Sequence, residues 1–271
     1  MLRGRAFVLT LAWTLGYLGL VVLLPLAAFG LSLRGLGLER LWQLASVQRV
    51  TSALAVSFGC SALAAGLASV LGLLVAWVLD RYRFPLKRVL DLCVDLPLAL
   101  PTAVSGLALS AMFSPRGPLG SSLAALVLPV AYTRLGICVA LLFTALPAVI
   151  RTLQPVLGGL DREQEEAAAC LGARPWESFR RIVAPQLWGG LASGFLLGFA
   201  RALSEYGSVA FISGNLPLRT ETVPVLVLAR VEQGDLAAAT AVAAAHLLLA
   251  ALVLGSLGWL QDRVSRLGGG R

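Results

Sequence analysis

Arg201 and Glu205 stand four residues apart inside a long apolar stretch of a chain with few charges. That spacing places both on one face of a helix. Ionisable residues at bilayer depth are costly and point to function by default. Two chemistries fit. One is a mutual ion pair that lets both be buried; the other is an arginine that lines or gates a route for an anion. The two are compatible. Tyr206 comes directly after. A second candidate set is Pro97 and Pro101 with the hydroxyls of Thr102 and Ser105. Each proline removes a backbone hydrogen bond, and such breaks survive in a membrane where other helices or a water-filled cavity satisfy the freed carbonyls. The prolines read either as a static kink or as a flexible element beside a translocation path. Asp91 and Asp95 precede them and are expected to pair with Arg81 or Arg88, since they would repel an anion. His246, the single histidine, reads as a packed and hydrogen-bonded residue.

Other chemistries find no support. Cys60, Cys93, Cys138 and Cys170 lack C-x-x-C spacing, which argues against a zinc site or a disulfide framework. They read as small apolar fillers. No metal site is expected. The phosphate-loop pattern Gly-x-x-x-x-Gly-Lys-Ser/Thr is absent. No nucleophile, base and metal set gathers at one place, as an integral-membrane enzyme would need. No basic DNA-reading helix or aromatic RNA motif appears, so nucleic acid is not an expected partner.

The elements that must position these residues are apolar helices. The chain has 271 residues, is 58% hydrophobic and 13% charged, and has a mean hydropathy of +0.84. Spans of about 20 residues are implied. Six are expected, at residues 7–33, 51–79, 89–113, 133–150, 188–213 and 236–260. The first is too long for a cleaved signal and reads as a signal anchor. No internal repeat is visible. A frayed glycine tail is expected at 268–270. Residues 216–233 read as a short interfacial or re-entrant piece.

Orientation is set by the bias of basic loops. One set holds Arg3, Arg5, Arg81, Arg83, Lys87, Arg88, Arg151, Arg162, Arg174, Arg180, Arg181, Arg263, Arg266 and Arg271. The other holds half as many: Arg34, Arg40, Arg49, Arg116, Arg134, Arg219 and Arg230. Both termini and the loop at 151–187 are therefore expected in the cytoplasm. The net charge of +8 reports this topology.

The loop at 151–187 is the longest polar segment. Asp161 can cap a helix, with Gln164 in capping-box position. Gly172 permits a left-handed turn that ends it. Pro175 suits the first turn of a second helix. That helix carries Trp176, Phe179, Ile182 and Val183 on one side, with Glu177, Arg180 and Arg181 elsewhere, an amphipathic pattern suited to docking.

The order Glu166-Ala167-Ala168, Gly172, Ile182, Pro185 resembles the EAA loop of binding-protein-dependent ABC transporter permeases, with Ala184 where that family usually has leucine. The resemblance implies an all-α integral membrane protein of six transmembrane helices, with the ABC importer permease (MetI-like) fold. It implies one transmembrane permease domain over 1–271, in which 151–187 is a cytoplasmic coupling loop seated in an ATPase subunit. Glu165, Glu166, Ala167, Ala168, Gly172, Trp176, Phe179, Ile182 and Pro185 would shape that docking.

The stretch from Arg201 through Ser208, with Gly214-Asn215, Thr220-Glu221 and Pro224, looks like the sulfate/thiosulfate permease branch, especially its T-type subunit. Ser204 replaces the usual glycine. Asp80-Arg81-Tyr82-Arg83-Phe84-Pro85, Asp95-Leu96-Pro97 and Leu100-Pro101-Thr102 look like the same branch. Molybdate/tungstate permeases share parts of the pattern, and a stand-alone secondary anion transporter is a weaker alternative. The implied partners are ABC ATPase subunits, a second permease that is a paralogue, an extracytoplasmic sulfate-binding protein and membrane lipid. The chain itself would be non-catalytic and hold no cofactor, with ATP and Mg on the partner ATPase. The implied location is the bacterial cytoplasmic (inner) membrane.

Overall fold

The structure, a computed structural model, describes residues 2–125 and 129–268, and all regular structure among them is helical. The order is α1 (Leu2–Leu18), α2 (Leu24–Arg34), α3 (Leu38–Ala45), α4 (Gln48–Arg81), α5 (Lys87–Ala99), α6 (Thr102–Phe113), α7 (Gly120–Ala125), α8 (Arg134–Gly158), α9 (Arg162–Cys170), α10 (Pro175–Ser178), α11 (Ala184–Leu203), α12 (Gly207–Ile212), α13 (Val223–Glu232) and α14 (Leu236–Gly268). Among the described residues, five helices are long and apolar enough to span a bilayer. The pair α5 and α6 makes a sixth if it counts as one span. Gly268 ends α14; Gly269, Gly270 and Arg271 lie outside the described residues.

The centre is α4 against α8 and α11. Lipid is as apolar as leucine, so close packing rather than water exclusion must hold these helices together. Small residues supply it. Ala64, Ala65, Ala68 and Ala76 of α4 are fully buried. A Cβ on Gly72 of α4 would stand 2.9 Å from Val149 of α8, and one on Gly198 of α11 would stand 3.0 Å from the same valine. Gly194 meets Val149 as well. One branched side chain thus fills a notch made by glycines of two neighbours. The first span, Phe7–Arg34, is continuous across a π-helical turn at Gly19–Leu23, and none of its apolar core is buried by the rest of the chain.

Several expected spans differ in the structure. The third is neither a straight helix nor a mild kink: α5 and α6 meet at 108°. Pro97 is carried inside α5, and the break falls at Leu100, whose extended backbone (ψ 136°) is the conformation a succeeding proline enforces. The fourth span runs on to Gly158, because Arg151 finds partners that let the helix continue through a charge. The fifth begins at Pro175, so the expected second loop helix and the span form one helix through a π-helical turn at Phe179–Val183. It ends at Leu203 rather than 213; Ser204–Tyr206 interrupt it before α12. Residues 216–233 fold back as turns and α13, which packs Val223 and Leu226 against Val50, Ala53 and Val242. Cys60 and Cys138 are buried as expected, whereas Cys93 is exposed on α5.

Candidate coupling loop and broken-helix site

Two regions gather the candidate residues. The first is the loop at 151–187. Asp161 caps α9, its carboxylate accepting the Glu163 N–H at 3.0 Å. Gln164 does not close a capping box; its side-chain oxygen accepts from Gln186 Nε2 at 3.1 Å, tying α9 to the start of α11. Gly172 has φ +84°, the left-handed turn expected. Its N–H donates to the Ala169 carbonyl at 2.9 Å and that of Ala173 to Ala168 at 3.0 Å, a Schellman closure. Pro175 opens α10, and Glu177 accepts from the Arg174 N–H at 3.0 Å.

The two adjacent glutamates part company. Glu165 is drawn inward and takes Arg81 NH2 at 2.6 Å, while Glu166 is exposed with Ala167. Ala168 and Ile182 are half-buried, and the Ile182 carbonyl accepts from Gln186 at 2.9 Å. Phe179 lies edge-on to Trp77 of α4 with centroids 5.5 Å apart, and Trp176 stacks on Phe179 at 5.7 Å. Val183 and Leu187 enter the core. Pro185, in the first turn of α11, is exposed. Leu171 is 89% exposed and Trp176 67%, set among exposed charges at Glu166, Arg174, Glu177, Arg180 and Arg181.

The second region is where two interrupted helices cross. α6 packs on α12 so tightly that a Cβ on Gly106 would stand 2.6 Å from the Ser208 carbonyl. Gly207 abuts Thr102. Ser105 is 3% exposed, with its hydroxyl 3.5 Å from the Pro101 carbonyl. Pro97 is half-buried; Pro101 and Tyr206 are exposed. The sequence candidates Pro101, Thr102, Ser105, Glu205 and Tyr206 therefore meet at one crossing.

The expected Arg201–Glu205 ion pair does not form. α11 ends at Leu203, so the helical spacing that would align them is lost. Glu205 instead caps α12, accepting the Ser208 N–H and hydroxyl, both at 3.0 Å. Arg201 is exposed on α11 and makes no ion pair among the described residues. Beside Glu205, the hydroxyls of Ser61 and Thr222 are buried without a hydrogen-bond partner.

Asp91 and Asp95 also depart from expectation. Their partner is Arg151 of α8, not Arg81 or Arg88. Arg151 NH1 reaches Asp91 at 2.7 Å, and Nε and NH2 hold both oxygens of Asp95 at 2.8 and 2.5 Å. Gln154 completes the cluster. The three ions bind α5 to α8 beside a cavity of about 530 Å³ that Lys87 and Arg88 also line. The sequence carried one overlooked signal: Asp91 and Asp95 are one helical turn apart, the spacing for a shared arginine. His246 packs edge-on to Phe58 with centroids 5.5 Å apart, and its Nδ1 lacks a partner.

Residues 68–266 match the family described as "Binding-protein-dependent transport system inner membrane component". The chain is similar to the sulfate transport system permease protein CysT of Escherichia coli (strain K12), 42% identical over 96% of this chain and 94% of that one. It is also similar to a probable sulfate transport system permease protein of Nephroselmis olivacea, 43% identical over 92% of this chain and 89% of that one. The fold is that of a solved bacterial alginate ABC transporter, crystallised with an alginate pentasaccharide-bound periplasmic protein. The TM-score is 0.76 at 14% identity, over 97% of this chain and 95% of that one. The all-helical MetI-like importer permease architecture is thereby shown. The chain belongs to the family of binding-protein-dependent transport system inner membrane components.

Proposed function

We propose that this chain is the membrane-spanning permease subunit of an ATP-driven ABC importer for sulfate or thiosulfate. The observation that carries the reading is 42% identity to a sulfate permease across nearly the full length of both chains. The subunit sits in the bacterial cytoplasmic membrane with a second, paralogous permease. Its termini and the loop at 151–187 face the cytoplasm, as the arginine bias requires. ATPase subunits, which carry ATP and Mg, dock on the loop through the exposed Leu171, Trp176 and Glu166. An extracytoplasmic binding protein delivers the anion.

The subunit's work is mechanical. Closure of the ATPases moves the loop, and the interrupted helices α5/α6 and α11/α12 change which side of the membrane they open to. Arg201 faces the anion route. A lone arginine at this depth is too costly to face lipid, and Glu205 is occupied elsewhere.

The test is labelled sulfate uptake into proteoliposomes holding the complex and its binding protein, with thiosulfate and molybdate as competitors. ATP-dependent sulfate uptake that thiosulfate suppresses is expected; uptake of molybdate in preference to sulfate would overturn the substrate assignment. Orientation has its own test. Single cysteines replacing Arg162 and Arg219, in a background free of the four native cysteines, should label from opposite faces. Labelling from one face would overturn the topology.

A further inference from the structure

Two helices join the loop covalently to the membrane: α8, which carries Pro147 and Pro155 within it, and α11, which stops at Leu203. Across the interruption at Ser204–Tyr206, that helix cannot push stiffly on α12. α4 passes the break. It is 34 residues without a proline, about 50 Å at 1.5 Å per residue. At one end it grips both halves of the loop. Arg81, only 11% exposed, takes Glu165 of α9 at 2.6 Å, and its guanidinium lies 5.0 Å from the centre of the Trp77 ring. Trp77 in turn meets Phe179 beyond the Gly172 turn.

At the other end α4 grips the segment between α12 and α13. Arg49 holds Glu221 through two bonds, Nε at 2.7 Å and NH2 at 2.6 Å, and Glu221 is 3% exposed. The Ser52 hydroxyl donates to the Leu218 carbonyl at 2.9 Å. The Val223 N–H donates to the Ser57 hydroxyl at 2.8 Å. Leu218 sits in the left-handed region at φ 65°, so this segment is held in one conformation by its surroundings.

We propose that α4 is the transmission strut of the subunit, with Arg81 the positioning residue that fastens it to the coupling loop and Arg49 the one that fastens it to the far-side segment 216–223. Movement of the loop is delivered past the break in α11 to the segment beyond the broken-helix crossing. The proposal rests on the transporter reading.

The experiment uses the complete reconstituted complex in a cysteine-free background with Arg219→Cys as reporter. Two quantities are read: sulfate taken up per ATP hydrolysed, and the nucleotide-dependent change in maleimide labelling of the reporter. In Arg81→Ala, uptake per ATP should fall about tenfold and the labelling change should vanish. A ratio normalised to ATP turnover does not move if Arg81 merely helps the subunit fold. Arg81→Glu should behave as Arg81→Ala, and adding Glu165→Arg should restore most of the coupling. If Arg81→Ala fails to assemble, the charge-swapped pair decides alone: an assembled swap that stays uncoupled overturns the proposal, as does an Arg81→Ala complex with unchanged ratio and labelling. Lack of ATP-driven uptake in the unmodified complex is a separate outcome and sinks the transporter reading instead.

Discussion

Arg151 and Arg201 are both arginines on spanning helices, and the fold treats them in opposite ways. Arg151 commits its guanidinium to Asp91, Asp95 and Gln154, and so joins α5 to α8. Arg201 is exposed and has no ion-pair partner among the described residues. The spacing of charges in the sequence suggests the reverse, with Arg201 and Glu205 paired on one helix. The difference lies in the backbone. α8 stays helical through Arg151, so its side chain reaches a neighbouring helix. α11 ends two residues after Arg201, and Glu205 turns away to cap the next helix. A satisfied arginine is a structural joint; an unpaired one ties no helices together.

The contrast can be broken experimentally, and the largest expected effect is at the joint. Arg151→Ala leaves two carboxylates facing each other with no cation bonded to them and only Lys87 and Arg88 nearby. Removing one partner of a buried ion cluster costs about 3–5 kcal/mol. Asp91 and Asp95 keep 44% and 47% exposure, so about 2–3 kcal/mol is expected here. Thermal unfolding of the detergent-purified subunit should show a clearly lowered midpoint; an unchanged midpoint would mean the cluster is not a joint.

Arg201→Ala should do the opposite: stability within about 0.5 kcal/mol of the parent, but sulfate uptake reduced at least about tenfold, the loss of about 1.4 kcal/mol. Thermal unfolding and uptake on the same preparation check both halves. A destabilised Arg201→Ala with normal uptake per folded subunit would make the two arginines alike after all.

Gly172→Val sharpens the contrast from the side of the loop. A branched residue at φ +84° is strained by roughly 1–2 kcal/mol, which should distort the Schellman turn without touching either arginine. ATPase co-purification is expected to drop while membrane insertion persists. Full ATPase binding and uptake in this variant would detach the loop from its proposed role.

The smallest effect is the absence of one. In a double-mutant cycle of Arg201→Ala and Glu205→Ala, the interaction energy should be below about 0.5 kcal/mol. Glu205→Ala alone should cost about 1 kcal/mol through loss of the α12 cap. An interaction energy well above that bound would restore the direct pair and remove Arg201 from the anion route.

The loop was the most legible part of the site. Asp161, Gly172 and Pro175 act locally, through capping, a left-handed turn and the first helical turn, and each is found in that role. Local backbone rules need only a few neighbours, all present in the sequence. The same holds for the number and approximate place of the apolar helices. Partners across helices were less legible. Glu165 and Glu166 are neighbours of one type, yet only Glu165 meets Arg81, because the helix turns it toward α4. The break at Leu100 could be placed near Pro97 and Pro101, but its 108° angle depends on α6 lying against α12 through Gly106.

The sequence by itself determined an all-helical membrane chain, its loop motif, its family and the helix stop at Gly172, but not the break at Ser204–Tyr206. These come from hydropathy, proline, glycine and capping residues, whose effects are local. Tertiary structure alone decided which ions neutralise one another, that Val149 fills a notch between two helices, and that Arg201 has no counter-ion among the described residues. Those outcomes depend on which turn of one helix faces which turn of another. A charge carries no mark of its partner until the backbone brings the two within reach.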